Sequence, residues 1–524
     1  MSSKDYRLIQ EIIEGNSKKK ALIQEFEKLV ENKDAFEYPL DEDIKKELKA
    51  ISDICNDDDD YIIYKSIDKI NELWESLIKK AIICLRYFDP REPFQRFCEK
   101  KPHAYGIENL SEYYKNYGEF EKVLYGGVKY YRDHVVHAFR VWLLGIYQML
   151  DNNCQYLKDI VIDAEYKDEI DVCEKISMWT LIALCHDLGY PLEKSLQIIE
   201  RTRKMMKSFV NNPLVNMDVS FSGVQDSMND YVLRFVSSKM WHYDVDSHYT
   251  MEDTVYKSAF DEEINKCDTT DKKEKRKSEL HDKQRFVARI QPKYYFKFQK
   301  SLEKNEHGIL SSLIVYKALL YFLESDYSIN EDYQFDRNDA RQFYIRREIL
   351  RSIASHTCDD IYQNDINRFS LLLILCDDAQ EWGRKGISEL YVSKNVSYEL
   401  TRTVIRKGKC EFEDTYSNLP SKDDLPEVLA PFKRQCLHYR SLFRDGLDTG
   451  NRNFEFKRKI NIKVSEVNEI HYSLELYFSK NKQTTITCLG SDDDISNLLV
   501  DGQNGIFCEY RYEKESDKLV IYID

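Results

Sequence analysis

The chain is poor in the residues that build turns. It has 17 Gly and 10 Pro in 524 positions, too few for a turn-rich sandwich or propeller, so helices are expected to dominate. Positive charge is short as well. Lys and Arg number 77 against 92 Asp and Glu, a formal charge of −15. That balance argues against a surface that coats nucleic acid or anionic lipid, because neutralising phosphates needs clustered cations. A small phosphate ester stays open, since it needs only a few cations placed locally. The 13 Cys are scattered singly, odd in number and without a CxxC pair. The expectation is reduced, mostly buried thiols in a cytoplasmic protein. Long apolar runs are missing. LLLILC at 371–376 falls far short of the roughly 20 residues that span a bilayer, and the first twenty residues lack the apolar centre of a signal peptide. No Walker or dinucleotide glycine loop occurs.

What is abundant is aromatic: 13% of residues, 37 of them Tyr, which supply apolar area with a polar tip. Length alone gives three to four domains at about 150 residues each. The pattern suggests three regions. Residues 1–100 read as helices with charged faces, Ile9, Ile12 and Ile13 and then Leu22, Ile23, Phe26, Leu29 and Val30 recurring at helical steps. Residues 101–450 hold the most apolar helices, HVVHAFRVWLLGIYQML (134–150), ISMWTLIALCHDLGY (176–190), GILSSLIVYKALLYFL (308–323) and FSLLLILCDDAQEW (369–382). Helices apolar nearly all round belong at a domain centre. They are interrupted by a polar insert near 212–300, containing KKEKRK at 272–277, expected to be a solvated or mobile excursion. Residues 451–524 switch to the strand period, with a capped short helix at 491–500, and are expected to form a small C-terminal α+β module ordered ββ-β-α-ββ.

Chemistry concentrates in the apolar helices. Histidine is rare, 11 in 524. His186 and Asp187 are adjacent at the end of one apolar helix, and burying such a pair is costly unless it is paired or binds a metal. His134 and His137 share a helix face. His307 opens a third apolar helix, His356 closes IRREILRSIASH, and Asp377-Asp378 lie inside LLLILCDDAQEW. Imidazole and carboxylate together suit Fe, Mn, Zn, Ni or Mg. His242 and His248, in WHYDVDSH, fall in the polar insert and are expected on an exposed loop, while His281, His438 and His471 have no neighbour worth pairing.

The series His137, His186-Asp187, His307, His356, Asp377, with its flanking segments RDHVVHAFRVWLLG, WTLIALCHDLGYPLEK, EHGILSSLIVY, IASH and LLILCDDAQEWGR, resembles the HD-domain superfamily of metal-dependent phosphohydrolases. The resemblance covers roughly residues 120–390. It implies a mainly α HD-domain helical bundle preceded by an N-terminal helical extension. His137, His186, Asp187 and Asp377 would ligate one divalent ion, and Asp187 would bridge to a second held by His307 and His356; a single-ion site is the alternative. Such a site works through a metal-activated hydroxide, with Asp187 and His134 in the catalytic machinery. His134 and Asp378 stand behind the ligands, and His134 reads equally as a satisfied helix histidine. Arg140, Lys194 and Arg384 would contact phosphate or else pair on the surface. Tyr190 stands where HD-GYP phosphodiesterases carry lysine, so a cyclic dinucleotide activity is not implied.

The expected function is hydrolysis of a nucleotide or other small phosphorylated substrate, without membrane or long nucleic acid as partner, and with self-association common in the family. Two other readings stand beside it: a nucleotide-sensing or defence-associated binding protein, and a metal-dependent nuclease, which the acidic charge disfavours.

Overall fold

The computed structural model describes residues 5–15, 20–55, 62–89, 105–127, 133–163, 166, 169–195, 198–199, 224–244, 249–251, 253–323, 333–361, 367–380, 397–406, 409–443, 455–464, 470–479, 482–489, 499, 509–513 and 518–523. It is mostly helical. Four helices come first: α1 (Asp5–Ile13), α2 (Ile23–Glu27), α3 (Glu42–Ile54) and α4 (Ile67–Tyr87). Their apolar stripes are the buried faces, Leu8, Ile9 and Ile12 on α1 and Ile44, Leu48 and Ile51 on α3. Asp41 caps α3 by accepting from the backbone N–H groups of Asp43 and Ile44. These helices are no free-standing extension. Trp74 on α4 donates from its indole to the Leu184 carbonyl at 3.1 Å, and Asp5 on α1 is buried against Arg140.

The centre is built from α5 (Ile107–Gly127), α6 (Val135–Asp159) and α7 (Val172–Cys185), then α11 (Pro292–Glu303), α12 (His307–Ala318), α13 (Leu320–Leu323), α14 (Arg337–Ser355) and α15 (Phe369–Ala379), with α8 to α10 in the insert described next. α7 is apolar on every side and correspondingly has all but its first residue buried. It starts at a reciprocal cap, the Asp171 side chain accepting from the Cys173 N–H at 2.7 Å and Glu174 accepting from the Asp171 N–H at 2.9 Å. α6 and α7 cross closely at Gly145, where a Cβ would lie 2.0 Å from the Trp179 ring. Trp142 and Trp179 satisfy their indole N–H groups on Thr180 Oγ1 and the Trp142 carbonyl.

Two expectations need correcting. The polar insert is folded: it contains α8 (Val224–Ser237), β1 (Ser238–Asp244), β2 (Tyr249–Met251), α9 (Asp253–Asn265), α10 (Thr270–Lys283) and β3 (Arg285–Ile290). The strands form an antiparallel sheet in the order β2-β1-β3, burying Met240, Phe286, Val287 and Ala288. His242, expected on an exposed loop, is buried in β1 with its ring 4.7 Å from Phe286; His248 lies outside the described residues. A strand needs only alternate apolar residues to bury one face, so a polar composition overall hid these. The KKEKRK run falls on α10, which buries none of its residues.

The second correction concerns the C-terminal boundary. The sheet starts before 451, with β4 (Ser397–Arg406) and β5 (Lys409–Leu419), and α16 (Leu425–Phe443) follows. β6 (Glu455–Val464), β7 (Ile470–Ser479), β8 (Lys482–Leu489), β9 (Glu509–Glu513) and β10 (Lys518–Ile523) complete a seven-stranded sheet, β4-β5-β6-β7-β8-β10-β9. All neighbours are antiparallel except β5 and β6, and that parallel pair is joined through α16, as a crossover requires. The helix expected at 491–500 lies, apart from Leu499, outside the described residues. The sheet is docked on the helices: Gln148 of α6 bonds Thr403, and Tyr398 donates to the Ala379 carbonyl at 3.2 Å.

Candidate metal centre

Four helix ends bring four histidines together. His137 lies in the first turn of α6, which Asp133 caps by accepting the Val136 N–H at 2.7 Å. His307 opens α12, while His186 and His356 are the C-caps of α7 and α14. The two C-cap rings use one device. Nδ1–H of His186 donates to the Ala183 carbonyl at 2.8 Å, and Nδ1–H of His356 donates to the Ile353 carbonyl at 2.6 Å. Each ring thereby satisfies an orphan carbonyl of its own last turn and is fixed as the tautomer whose Nε2 carries the lone pair. His137 donates from Nδ1 to the Gln380 side-chain oxygen, and His307 from Nδ1 to Glu193 Oε2 at 2.7 Å. All four Nε2 atoms converge on the carboxylates.

Asp187 sits at the midpoint. Its Oδ2 lies 3.3 Å from His186 Nε2 and 3.7 Å from His137 Nε2, while its Oδ1 lies 3.3 Å from His307 Nε2 and 3.7 Å from His356 Nε2. Asp377 Oδ1 stands 2.8 Å from His137 Nε2 and 3.9 Å from His186 Nε2. Ligand atoms within 4.8 Å of one another form the sets His137–His186–Asp187, His186–His356–Asp377 and Asp187–His307–His356. The six expected ligands are therefore brought together, with one carboxylate shared between two halves. Burial opposes the charge on Asp187, but His186, His307 and His356 outweigh it and hold the carboxyl well below its usual range. Burial also disfavours the charged His307, yet Asp187 and Glu193 push it up to about 9.

The donor set fits a divalent ion. Nε2 of His186 and of His356 is buried with no hydrogen-bond partner among the described residues, an arrangement that costs free energy unless a ligand occupies the lone pair. Soft thiolate is absent from the set, and the imidazole–carboxylate mixture suits Fe, Mn, Zn, Ni or Mg without choosing among them.

The remaining site expectations divide. His134 is buried, its ring 4.0 Å from Tyr190 and 6.3 Å from His137, with Nδ1 2.9 Å from Glu121 Oε1. Lys194 is half-buried, bonded to Glu193 at 2.8 Å and 4.6 Å above the Tyr190 ring, so it stands one carboxylate away from His307. Arg140 needs correcting as a phosphate contact. Its guanidinium is buried and forked onto Asp5, at 2.9 Å from Nε and 2.7 Å from the terminal nitrogen, and a carboxylate already fills the geometry a phosphate would use. Arg384 lies outside the described residues. Asp378 faces α16, with His438 Nε2 at 3.8 Å, so His438 does have a partner.

Sequence reasoning missed Glu193, Gln380 and Glu121, the acceptors that hold three of these rings. Two glycines, on which the sequence reading placed no weight, lie beside the candidate ligands. A Cβ on Gly189 would lie 2.4 Å from the His307 carbonyl, and one on Gly308 would lie 2.6 Å from Thr357 Oγ1. Both positions have to be small for α12 to approach the turn after His186 and the end of α14.

No family profile, curated protein or solved structure matches the chain. No helix among the described residues is long and apolar enough to cross a membrane. The functional reading accordingly rests on the geometry and on the sequence resemblance.

Proposed function

We propose that the chain is a metal-dependent phosphohydrolase of the HD-domain type, acting on a nucleotide or another small phosphate ester. The observation that carries the reading is Asp187, whose two oxygens each face a separate pair of imidazoles, all buried except the partly exposed His307. That arrangement suits two ions sharing a carboxylate, as two-metal hydrolysis requires. His137, His186, Asp187 and Asp377 would hold one ion and Asp187, His307 and His356 the other, supplying Lewis-acid activation of water and neutralising phosphoryl charge.

The chain's own residues do the rest. Gln380, Glu193 and the Ala183 and Ile353 carbonyls hold the rings in place, which lowers the reorganisation needed on binding. His134 stands beside His137 with Glu121 on Nδ1. Glu121 orients that ring, and His134 would pass a proton to a departing oxygen. Lys194 adds a local cation beside Tyr190.

The test is metal analysis of the purified protein together with phosphate release from a panel of linear and cyclic nucleotides under Mn, Mg and Fe. Bound metal and release that falls at least about a hundredfold in Asp187→Ala are expected. Absence of bound transition metal, with Asp187→Ala indistinguishable from the parent, would overturn the proposal. Metal and nucleotide binding without any hydrolysis would favour a sensing protein instead.

A further inference from the structure

Beside the centre, α4, α5 and the residues leading into α6 enclose a cavity of about 700 Å³, within the size range of small-molecule sites. One wall is aromatic: Trp74 and Tyr114 stack at 4.0 Å between ring centroids and 4° between planes. The lining carries the carboxylates of Asp68, Glu75, Glu119, Glu121 and Asp133 against one lysine, Lys115. Two buried hydroxyls in the lining, Ser111 Oγ and Tyr114 Oη, have no hydrogen-bond partner among the described residues. Gly118 opens the remaining side, since a Cβ there would meet nothing within 4 Å.

Each feature narrows the occupant. The carboxylates repel a phosphate, so the phosphorylated end of a substrate does not belong here. An aromatic wall offers a flat ring a surface to stack on, worth binding energy for any base. Buried hydroxyls without partners require polar groups on the occupant, and unsatisfied ones strongly penalise a purely apolar ligand. Carboxylates in excess select an edge rich in N–H donors. The cavity also adjoins the centre: Glu121, in its lining, accepts the His134 backbone N–H at 3.0 Å and lies 2.9 Å from that ring's Nδ1.

We propose that this cavity binds the nucleobase of the substrate, with selectivity for a donor-rich purine edge, guanine above adenine and both above uracil. The assignment deepens the hydrolase reading and rests on it only for placing the phosphate at the His/Asp centre. Guanine presents adjacent N–H and NH2 donors, which a carboxylate accepts in a fork; uracil offers a single donor between two acceptors. Burial and the neighbouring Glu121 push the Asp133 carboxyl up to about 7, so near neutrality it both accepts and donates, matching the mixed edge of a purine.

The test uses nucleosides and the full-length protein in EDTA, so that neither phosphate nor metal contributes. Titration calorimetry with guanosine, adenosine, uridine and choline, with tryptophan fluorescence compared between wild type and Trp74→Phe, should give saturable guanosine binding at least about tenfold tighter than uridine. The accompanying quench should be lost in Trp74→Phe. Gly118→Leu fills open space on a helix and should fold normally while weakening guanosine at least about tenfold. Ser111→Ala and Tyr114→Phe should each weaken it several-fold. No saturable nucleoside binding, uridine as tight as guanosine, undiminished binding in Gly118→Leu, or choline binding in place of the nucleosides would each overturn the assignment. Failure of hydrolysis or of metal loading touches none of these readouts, so this assignment and the hydrolase proposal fail separately.

Discussion

Asp5→Ala is expected to cost about 3–5 kcal/mol, because it removes the carboxylate onto which the buried Arg140 guanidinium is forked. The pair links α1 to the helix that carries His137, across 135 positions. Both side chains are almost fully enclosed, Arg140 at 1% and Asp5 at 6% exposure, so solvent does little to screen the loss. An exposed pair of the same geometry would contribute under about 1 kcal/mol, and burial is what separates the two regimes. Urea denaturation followed by tryptophan fluorescence is a suitable assay, since Trp142 shares α6 with Arg140. Asp5→Ala should shift the transition strongly. Asp5→Ala combined with Arg140→Met should recover much of it, because a buried pair replaced by an apolar chain of similar volume is often neutral. An Asp5→Ala shift worth less than about 1 kcal/mol would refute the reasoning. So would an Arg140→Met variant with unchanged stability and a raised KM, which would return Arg140 to phosphate binding.

Glu193→Gln keeps an acceptor near His307 Nδ1 but removes the charge that holds the ring; affinity for an ion held by His307 and His356 should fall about 10–100-fold, read as loss of one metal equivalent on dialysis while the His137 half retains its own. Equal retention of both would argue against separate halves. Gly145→Ala gains about 1 kcal/mol in helix propensity but drives a methyl onto the fully buried Trp179 ring. Overpacking of that kind costs about 1–3 kcal/mol or more, so thermal unfolding should show net destabilisation, and a stabilised variant would contradict the close crossing. For Asp133 the folded value of about 7 stands above the ordinary 3.8, so folding favours its neutral form. The penalty is absent below about pH 4, grows as pH rises, and is complete above about pH 7. It amounts to at most about 4 kcal/mol at 1.36 kcal/mol per unit. Asp133→Asn, which keeps a cap for the Val136 N–H, should gain stability relative to wild type across that window in urea titrations; parallel pH profiles would count against it.

The candidate ligands were legible because most of them break a rule locally. A His or Asp inside an apolar helix or at its end has few explanations, and His137, His186, Asp187, His307 and Asp377 all had that form, while His356 closes the more charged run IRREILRSIASH. Their supports were not legible. Glu193 meets His307 across 114 positions and Gln380 meets His137 across 243, and nothing about a Glu or Gln at a helix end marks it as a partner of a distant ring. Arg140 shows the opposite error. Its place one turn from His137 suggested a role at the site, but the tertiary fold brings Asp5 to it first. The missed strands β4 and β5 did carry a signal, since KCEFEDTYSNL buries Cys410, Phe412 and Asp414 on alternate positions. Charged residues between them concealed the period, and Asp414 faces inward because it pairs with buried Arg458 at 2.6 Å.

The acidic balance of the whole chain takes on a specific meaning at the centre. Of the three cations placed near the candidate ligands by sequence, the two among the described residues, Arg140 and Lys194, each face a carboxylate already, Asp5 and Glu193. The neighbouring cavity adds five more carboxylates. Within the described residues, then, the protein offers little positive charge of its own where a phosphate would bind on the proposed reading, and four imidazoles, three of them buried, stand there with two carboxylates instead. On the proposed reading, attraction for phosphate would have to arrive with the ions. It would be short-ranged and local, without the steep salt dependence that a row of lysines gives a polyanion-binding surface. A substrate with one compact phosphorylated end and a donor-rich organic end matches that charge distribution at both ends, whereas a long nucleic acid would have to lay its remaining phosphates along an acidic surface.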